Sequence, residues 1–115
     1  MDFPIVLGNS LFPVQAFFNA MSDRNFISTL QAFSKGIGAG FNDAVCEFPN
    51  EIEEGDEIFK GVKFYIFNEE LILSKLDFIR ILWEVSSLFI ARHPEHQLHI
   101  SQLIDEISKN MGDDD

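Results

Sequence analysis

The chain has 115 residues, of which 46% are hydrophobic and 13 are phenylalanine, and its formal net charge is -11 at pH 7. A chain of this length buries roughly 65% of its unfolded surface, which predicts a single domain over residues 1–115 that folds without disulfides. The lone cysteine, Cys46, excludes an internal disulfide and a thiolate zinc cluster, and it is compatible with a reducing cytosol.

The excess of acidic residues indicates the kind of partner that the chain attracts. Because 19 Asp and Glu face only 8 Lys and Arg, the protein repels phosphate backbones, which argues against direct binding to nucleic acid. The same field attracts basic protein surfaces. Residues 1–12 contain Asp2 and Pro4 and no basic residue, so they do not resemble a signal peptide. Since no stretch approaches the roughly 20 apolar residues that cross a membrane, we expect a cytoplasmic protein without a membrane partner.

Two short helices are predicted near the N-terminus. From Pro13 to Met21 apolar residues recur at helical spacing, and Pro13 suits the first turn. In the second helix Ser22 has the side chain of an N-cap, and Gly36 ends the apolar pattern. From Gly36 to Glu57 the chain is rich in glycine and acidic residues, which predicts loops with short extended pieces at best.

A hairpin and two further helices are predicted in the second half. The segments Ile58–Phe67 and Leu71–Leu73 are typical of strands, with Asn68–Glu70 as the turn. Ser74 then caps a long helix that ends at Arg92 and His93.

The last helix begins at Pro94, and residues 110–115 are expected to form a disordered acidic tail. The predicted buried face of this last helix consists of Leu98, Ile100, Leu103, Ile104 and Ile107. The fold class is therefore α+β, with about four helices packed on a small antiparallel sheet.

Three glycines, Gly36, Gly38 and Gly40, resemble part of a dinucleotide-binding fingerprint. They follow a helix pattern rather than a strand, and no Gly-Lys-Ser/Thr accompanies them. We interpret them as a helix stop and a turn that requires positive φ or close backbone approach.

Three histidines at three-residue spacing, His93, His96 and His99, are the nearest approach to a metal-ligand pattern, with Asp105 or Glu106 as a conceivable further ligand. On a helical wheel His96 and His99 fall beside the apolar stripe, which favours surface positions. His93 suits the end of the preceding helix. We predict no metal site.

Other catalytic patterns are equally weak. The neighbouring charges of Asp43 and Glu47 raise the pKa of Cys46, so a buried thiol is favoured over a nucleophile. Adjacent carboxylates, such as Glu53 with Glu54 or Glu69 with Glu70, point to opposite faces of an extended chain. They are typical of a solvated surface.

The spacing of five aromatic residues predicts that most of them lie in the core. The five are Phe64, Phe67, Phe78, Trp83 and Phe89. With no convincing nucleophile, general base or metal ligand, the sequence predicts a binding protein that has no catalytic residue and no cofactor.

The segment from Asp43 to Glu57 contains seven acidic residues and no basic one. It can be a solvated loop that only aids solubility. The alternative is a docking surface, in which carboxylates surround four apolar anchors. Those anchors are Phe41, Phe48, Ile52 and Ile58.

The order of six short stretches carries a family resemblance. They are Asp23–Phe26, Gly36–Asp43, Cys46–Pro49, Gly61–Phe64, Glu69–Ser74 and His93–Glu95. In this order the chain, from about residue 21 to 107, resembles the bacterial immunity proteins of contact-dependent growth inhibition systems that neutralise ribonuclease toxins. The resemblance implies a cytoplasmic antitoxin that binds the C-terminal toxin domain and blocks cleavage of RNA, in particular tRNA. It implies no catalysis and no cofactor.

Charge clustering indicates which residues would contact a cationic nuclease cleft. The first set is Glu47, Glu51, Glu53, Glu54, Asp56 and Glu57. The secondary candidates are Asp43, Glu69 and Glu70. We expect a monomer, or a heterodimer with one toxin domain.

Two other classes remain open at this point. A small acidic dimeric secretion chaperone would bind an unfolded effector segment, and it predicts exposed apolar grooves and a stable homodimer. An enzyme with a histidine-bound metal would require His96 and His99 to retain a metal ion.

Overall fold

A computed structural model describes residues 5–112 of the chain. Its four α-helices are α1 (Phe12–Ala20), α2 (Phe26–Ser34), α3 (Lys75–Arg92) and α4 (Gln97–Asn110). Its four strands are β1 (Ala39–Phe41), β2 (Ala44–Glu47), β3 (Val62–Ile66) and β4 (Glu69–Leu73). The predicted α+β class is confirmed.

Local signals set most of the helix ends. Pro13 lies in the first turn of α1, and the Ser74 hydroxyl caps α3 by accepting a hydrogen bond from the Asp77 backbone N–H at 3.2 Å. The prediction for Ser22 was wrong, because a short 3₁₀ turn, Asp23–Asn25, separates it from α2. Within the described residues the buried Ser22 hydroxyl has no hydrogen-bond partner.

The four strands form one antiparallel sheet in the order β1-β2-β3-β4. The connection between β1 and β2 is Asn42–Asp43, and that between β3 and β4 is Phe67–Asn68. Glu69 and Glu70, which the sequence assigned to a turn, therefore belong to β4 and pair with Ile66 and Tyr65. The hairpin is tighter than expected because Phe67 adopts a positive φ of 55°.

The first predicted strand is also shorter than expected. It begins at Val62 rather than Ile58, because Gly61 breaks the extended run with a φ of 91°. The short extended pieces expected after Gly36 are β1 and β2, whereas the acidic segment after β2 is irregular apart from a 3₁₀ turn at Pro49–Glu51.

A phenylalanine cluster fills the space between the sheet and the helices. The ring of Phe17 on α1 packs edge to face against Phe41 and Phe64, with both pairs of centroids 5.4 Å apart. Phe78 on α3 lies 5.7 Å from Phe33 on α2 and 6.1 Å from Phe64, between ring centroids. One core thus joins α1, α2 and α3 to the sheet.

Helix α4 packs against α2 and α3 and buries four of its five predicted core residues. Leu98 was wrongly placed in the core: it is 72% exposed, because it lies in the first turn, where the chain has just left α3. The helix continues to Asn110, and the acidic end at residues 113–115 lies outside the described residues. None of the described helices is long and apolar enough to cross a membrane.

Candidate functional site

One face of the sheet packs on the helices, and the other carries the candidate site. Ala44, Cys46, Val62 and Phe64 point inward and are buried. The residues between them alternate to the outer face, as the pleat requires. Glu47 pairs there with Lys63, and Tyr65 pairs with Glu70.

A groove of about 360 Å³ runs along this outer face. We name it the acidic groove. Its lining residues are Glu47, Asp56, Glu57, Lys63, Tyr65, Phe67, Asn68, Glu69 and Glu70. Five carboxylates and one ammonium give it a strong negative charge, which is suited to a cationic partner.

The single ammonium of the groove is held by two neighbours. Lys63 Nζ lies 4.0 Å from Glu47 Oε1 and 4.7 Å from the centroid of the Phe59 ring. The cation–π contact joins Phe59, in the segment before β3, to the outer face of that strand. Asp56 and Glu57 of the same segment line the groove together with the strand residues.

Tyr65 provides a neutral hydrogen-bonding group in the lining of the groove. Burial and the charge of Glu47 raise the pKa of its phenol above the ordinary value. The hydroxyl therefore stays protonated at neutral pH, where it can donate and accept hydrogen bonds without adding charge.

The acidic candidates fall into three groups. Glu47, Asp56, Glu57, Glu69 and Glu70 line the acidic groove. Asp43 is exposed at the turn between β1 and β2, and Glu53 and Glu54 are exposed in the loop. Glu51 differs from all of them, because its Oε1 accepts hydrogen bonds from the Gly38 and Phe48 backbone N–H groups, each at 2.9 Å. Its carboxylate holds the loop against β1.

The apolar anchors differ from those that the sequence suggested. Phe48 is only 4% exposed, and Phe41 and Ile52 are half-buried. Ile58, at 85% exposed, is the one of the four that is open to solvent. Phe67, one of the five aromatic residues of which most were expected in the core, is 77% exposed and lines the acidic groove.

The other four residues of the predicted aromatic set differ in their exposure. Phe64, Phe78 and Phe89 are buried as predicted, whereas Trp83 is 41% exposed on α3. Strand alternation places Phe67 on the face of Lys63 and Tyr65, so a signal for its exposure was present in the sequence.

The glycines and Cys46 have structural roles. Gly36 ends α2 with a φ of 72°, and a Cβ on Gly38 would lie 2.0 Å from the Cys46 carbonyl oxygen. Both predicted uses of glycine, positive φ and close approach, are confirmed. The pKa of the Cys46 thiol is raised by burial and by the charges of Glu51 and Glu47. Asp43, named from the sequence, is not among these causes.

The histidines lie at the junction of α3 and α4. His93 ends α3, and its Nε2 lies 3.1 Å from Asp23 Oδ2. Arg92 Nη1 contacts the same carboxylate oxygen at 2.5 Å. His96 is half-buried and His99 is exposed. Over residues 5–112 no group of three or more His, Cys, Asp or Glu side chains is arranged to hold a metal ion.

An acidic groove beside exposed apolar side chains, on the outer face of a sheet, is typical of a protein-interaction domain. The chain belongs to the family described as CDI immunity protein, where CDI stands for contact-dependent growth inhibition: the family model matches residues 10–104. The family implies an inhibitor whose partner is a cognate CDI toxin. A comparison with curated proteins finds no significant match.

Proposed function

We propose that this protein is a cytoplasmic antitoxin that binds the folded C-terminal domain of its cognate CDI toxin, a ribonuclease, through the acidic groove. The observation that carries the proposal is the convergence of five carboxylates, from the sheet and from the loop before β3, on one groove. A ribonuclease must hold a polyanion, so the surface around its cleft is cationic. The acidic groove is complementary to such a surface.

The proposed inhibition is competition for the RNA-binding surface. Glu57, Glu69 and Glu70 would occupy positions that RNA phosphates otherwise take. Tyr65 would supply a neutral hydrogen bond, and Phe67 and Ile58 would form the apolar part of the contact. In this arrangement the inhibitor needs no catalytic group and no cofactor, because it excludes the RNA, with tRNA as the expected substrate.

Exposed carboxylates outside the groove extend the proposed contact. Glu53 and Glu54 lie in the same loop as Asp56, and Asp43 lies at the nearby end of the sheet meander. We assign these three residues to the edge of the interface, where charges accelerate association more than they add affinity. Glu51 supports the surface by fixing the loop.

The test is calorimetric titration into the purified toxin domain, with an RNA-cleavage assay alongside. The groove variant replaces Glu57, Glu69 and Glu70 with Gln. We expect it to lose about 2 kcal/mol or more of binding free energy, roughly 30-fold in Kd. RNA cleavage by the toxin domain should persist in the presence of this variant at concentrations at which the native protein abolishes cleavage.

The matched control replaces Glu84, Glu95 and Glu106, exposed acids on or next to α3 and α4, with Gln. Both variants gain the same charge, so a contact at the groove predicts an effect for the first alone. Equal weakening of both variants would show that binding depends on the net charge of the protein rather than on a contact at the groove. Tight binding without inhibition of RNA cleavage would refute the ribonuclease part of the proposal.

The secretion-chaperone alternative is separated by the same titration. The observation that favours it is the exposure of Leu76 and Trp83 on α3, at 68% and 41%. A chaperone would form a homodimer and bind the unfolded effector rather than the folded toxin domain. A one-to-one complex between the monomer and the folded domain would exclude it.

A further inference from the structure

A second cavity, of about 620 Å³, lies where the C-terminal ends of α2 and α4 meet both ends of the loop between β2 and β3. Its size is within the range of small-molecule sites. We name it the lysine cleft. The cavity does not share any lining residue with the acidic groove.

Apolar side chains and glycine backbone shape this cleft. Phe33, Phe48 and Phe59 line it together with Met111. The rings of Phe33 and Phe48 lie 5.5 Å apart between centroids and are tilted by 33°. The three phenylalanines are at most 8% exposed, so they form the apolar floor of the cleft, and the half-buried Met111 offers the more accessible apolar surface beside them.

The charge of the cleft is opposite to that of the chain. Lys35 and Lys60 line it, and among residues 5–112 no carboxylate belongs to its lining. Both lysines are exposed, and none of the ion pairs found within residues 5–112 includes either of them. In a protein of net charge -11, two ammonium groups without a carboxylate form a local site for an anion.

Two carbonyl groups at the C-terminal end of α2 accept hydrogen bonds beside this cleft. The Ser34 carbonyl accepts a hydrogen bond from Asn110 Nδ2 at 2.5 Å. The Phe33 carbonyl accepts one from the Gly36 backbone N–H at 2.9 Å. The partial negative charge of the α2 end is thereby reduced.

We propose that the lysine cleft binds a small organic anion, an aromatic ring that carries a carboxylate, phosphate or sulfonate group. The ring would pack on Met111 over the phenylalanine floor, and the anionic group would contact Lys35 and Lys60. Since the site is separate from the acidic groove, the proposal does not depend on the proposed antitoxin function.

The probe is the aromatic sulfonate anilinonaphthalene sulfonate, titrated into the intact protein by fluorescence and by amide NMR. We expect one site, with shifts concentrated at Gly36, Asn50, Gly61 and Asn110. Inorganic phosphate alone, which has no ring, should bind at least about tenfold more weakly.

The test variant is Lys35→Glu with Lys60→Glu, and the matched control is Arg24→Glu with Arg80→Glu, two exposed cations outside the cleft. We expect the Kd of the probe to rise about tenfold or more in the first variant only. If that variant does not give a native amide spectrum, Gln replaces Glu in both variants, because Gln removes the charges without reversing them. An unchanged Kd, an equal rise in the control, or shifts that map outside the cleft would overturn the proposal.

Discussion

At the scale of single residues, Glu51 shows how a carboxylate in an acidic run differs from its neighbours. Seven acids lie between Asp43 and Glu57, and by composition they are alike. Glu51 alone is seen to accept two backbone hydrogen bonds, from Gly38 and Phe48. The contact spans 13 residues to Gly38, so no local sequence pattern marks it.

We predict that Glu51→Ala destabilises the fold by about 1–3 kcal/mol, because two backbone N–H groups lose a charged acceptor. Glu51→Gln keeps an acceptor oxygen and should lose less. The matched control is Glu53→Ala in the same loop, which should change the free energy of unfolding by less than about 0.5 kcal/mol. Urea unfolding of the three variants checks this, and equal effects of Glu51→Ala and Glu53→Ala would contradict the assigned role.

Cys46 leads to a prediction about alkaline pH. Burial and the charges of Glu51 and Glu47 raise the pKa of its thiol in the folded state. Above an ordinary thiol pKa of about 8.5, the unfolded chain loses this proton while the folded chain keeps it. The free energy of unfolding should therefore fall with rising pH, at up to about 1.4 kcal/mol per pH unit.

The measurement is urea unfolding between pH 7.5 and 9.5, a window chosen to end below the ordinary tyrosine pKa of about 10. Cys46→Ala should remove most of the decline, whatever it does to stability at neutral pH. A decline of the same slope in Cys46→Ala would show that other groups cause it.

At the scale of elements, Asp23 ties the turn before α2 to the end of α3. It is 7% exposed, and its carboxylate contacts Arg92 at 2.5 Å and His93 Nε2 at 3.1 Å. The His93 ring also lies 4.5 Å from the Phe89 ring between centroids. This cluster fixes the point at which the chain turns from α3 towards α4.

We predict that Asp23→Ala destabilises the protein by about 2 kcal/mol or more, because it removes a buried carboxylate that contacts both the partly buried Arg92 and His93. The control is Asp105→Ala, which removes an exposed i,i+4 pair with Lys109 and should alter stability by less than about 1 kcal/mol. Thermal unfolding measures both. A difference of less than about 0.5 kcal/mol between them would argue against a stabilising role for the Asp23 cluster.

The hairpin of β3 and β4 also shows what an element pattern can predict. Alternation along Val62–Ile66 correctly divided the side chains of β3 between the inner and outer faces of the sheet. Phe67 continues the outward-facing side chains. The exact turn was not predictable from composition, because Asn68, Glu69 and Glu70 are all common in turns. Pairing of Glu69 and Glu70 with β3 moves both carboxylates from the turn into the acidic groove.

At the scale of the whole molecule, the net charge and its distribution act on different steps of binding. A net charge of -11 attracts any cationic surface over a long range. In the proposed complex the acidic groove decides which side of the protein contacts the toxin. The lysine cleft is a local departure from this field.

This distribution predicts that toxin binding depends strongly on salt. Because the Debye length falls from about 10 Å at 0.1 M to about 3 Å at 1 M ionic strength, we expect association to slow by tenfold or more. Dissociation should change less. Stopped-flow measurements at the two ionic strengths give the association rates. Rates that do not vary with ionic strength would contradict electrostatic steering by the acidic groove.

The sequence by itself determined the α+β class, the main helices, the acidic character and the family resemblance, because these depend on local spacing, composition and motif order. Only the tertiary structure decided that Glu47, Asp56, Glu57, Glu69 and Glu70 share one groove while Glu51 is used to hold a loop. The physical reason is that strand register and loop packing bring distant residues together. Neither leaves a periodic signal in the residues that it joins.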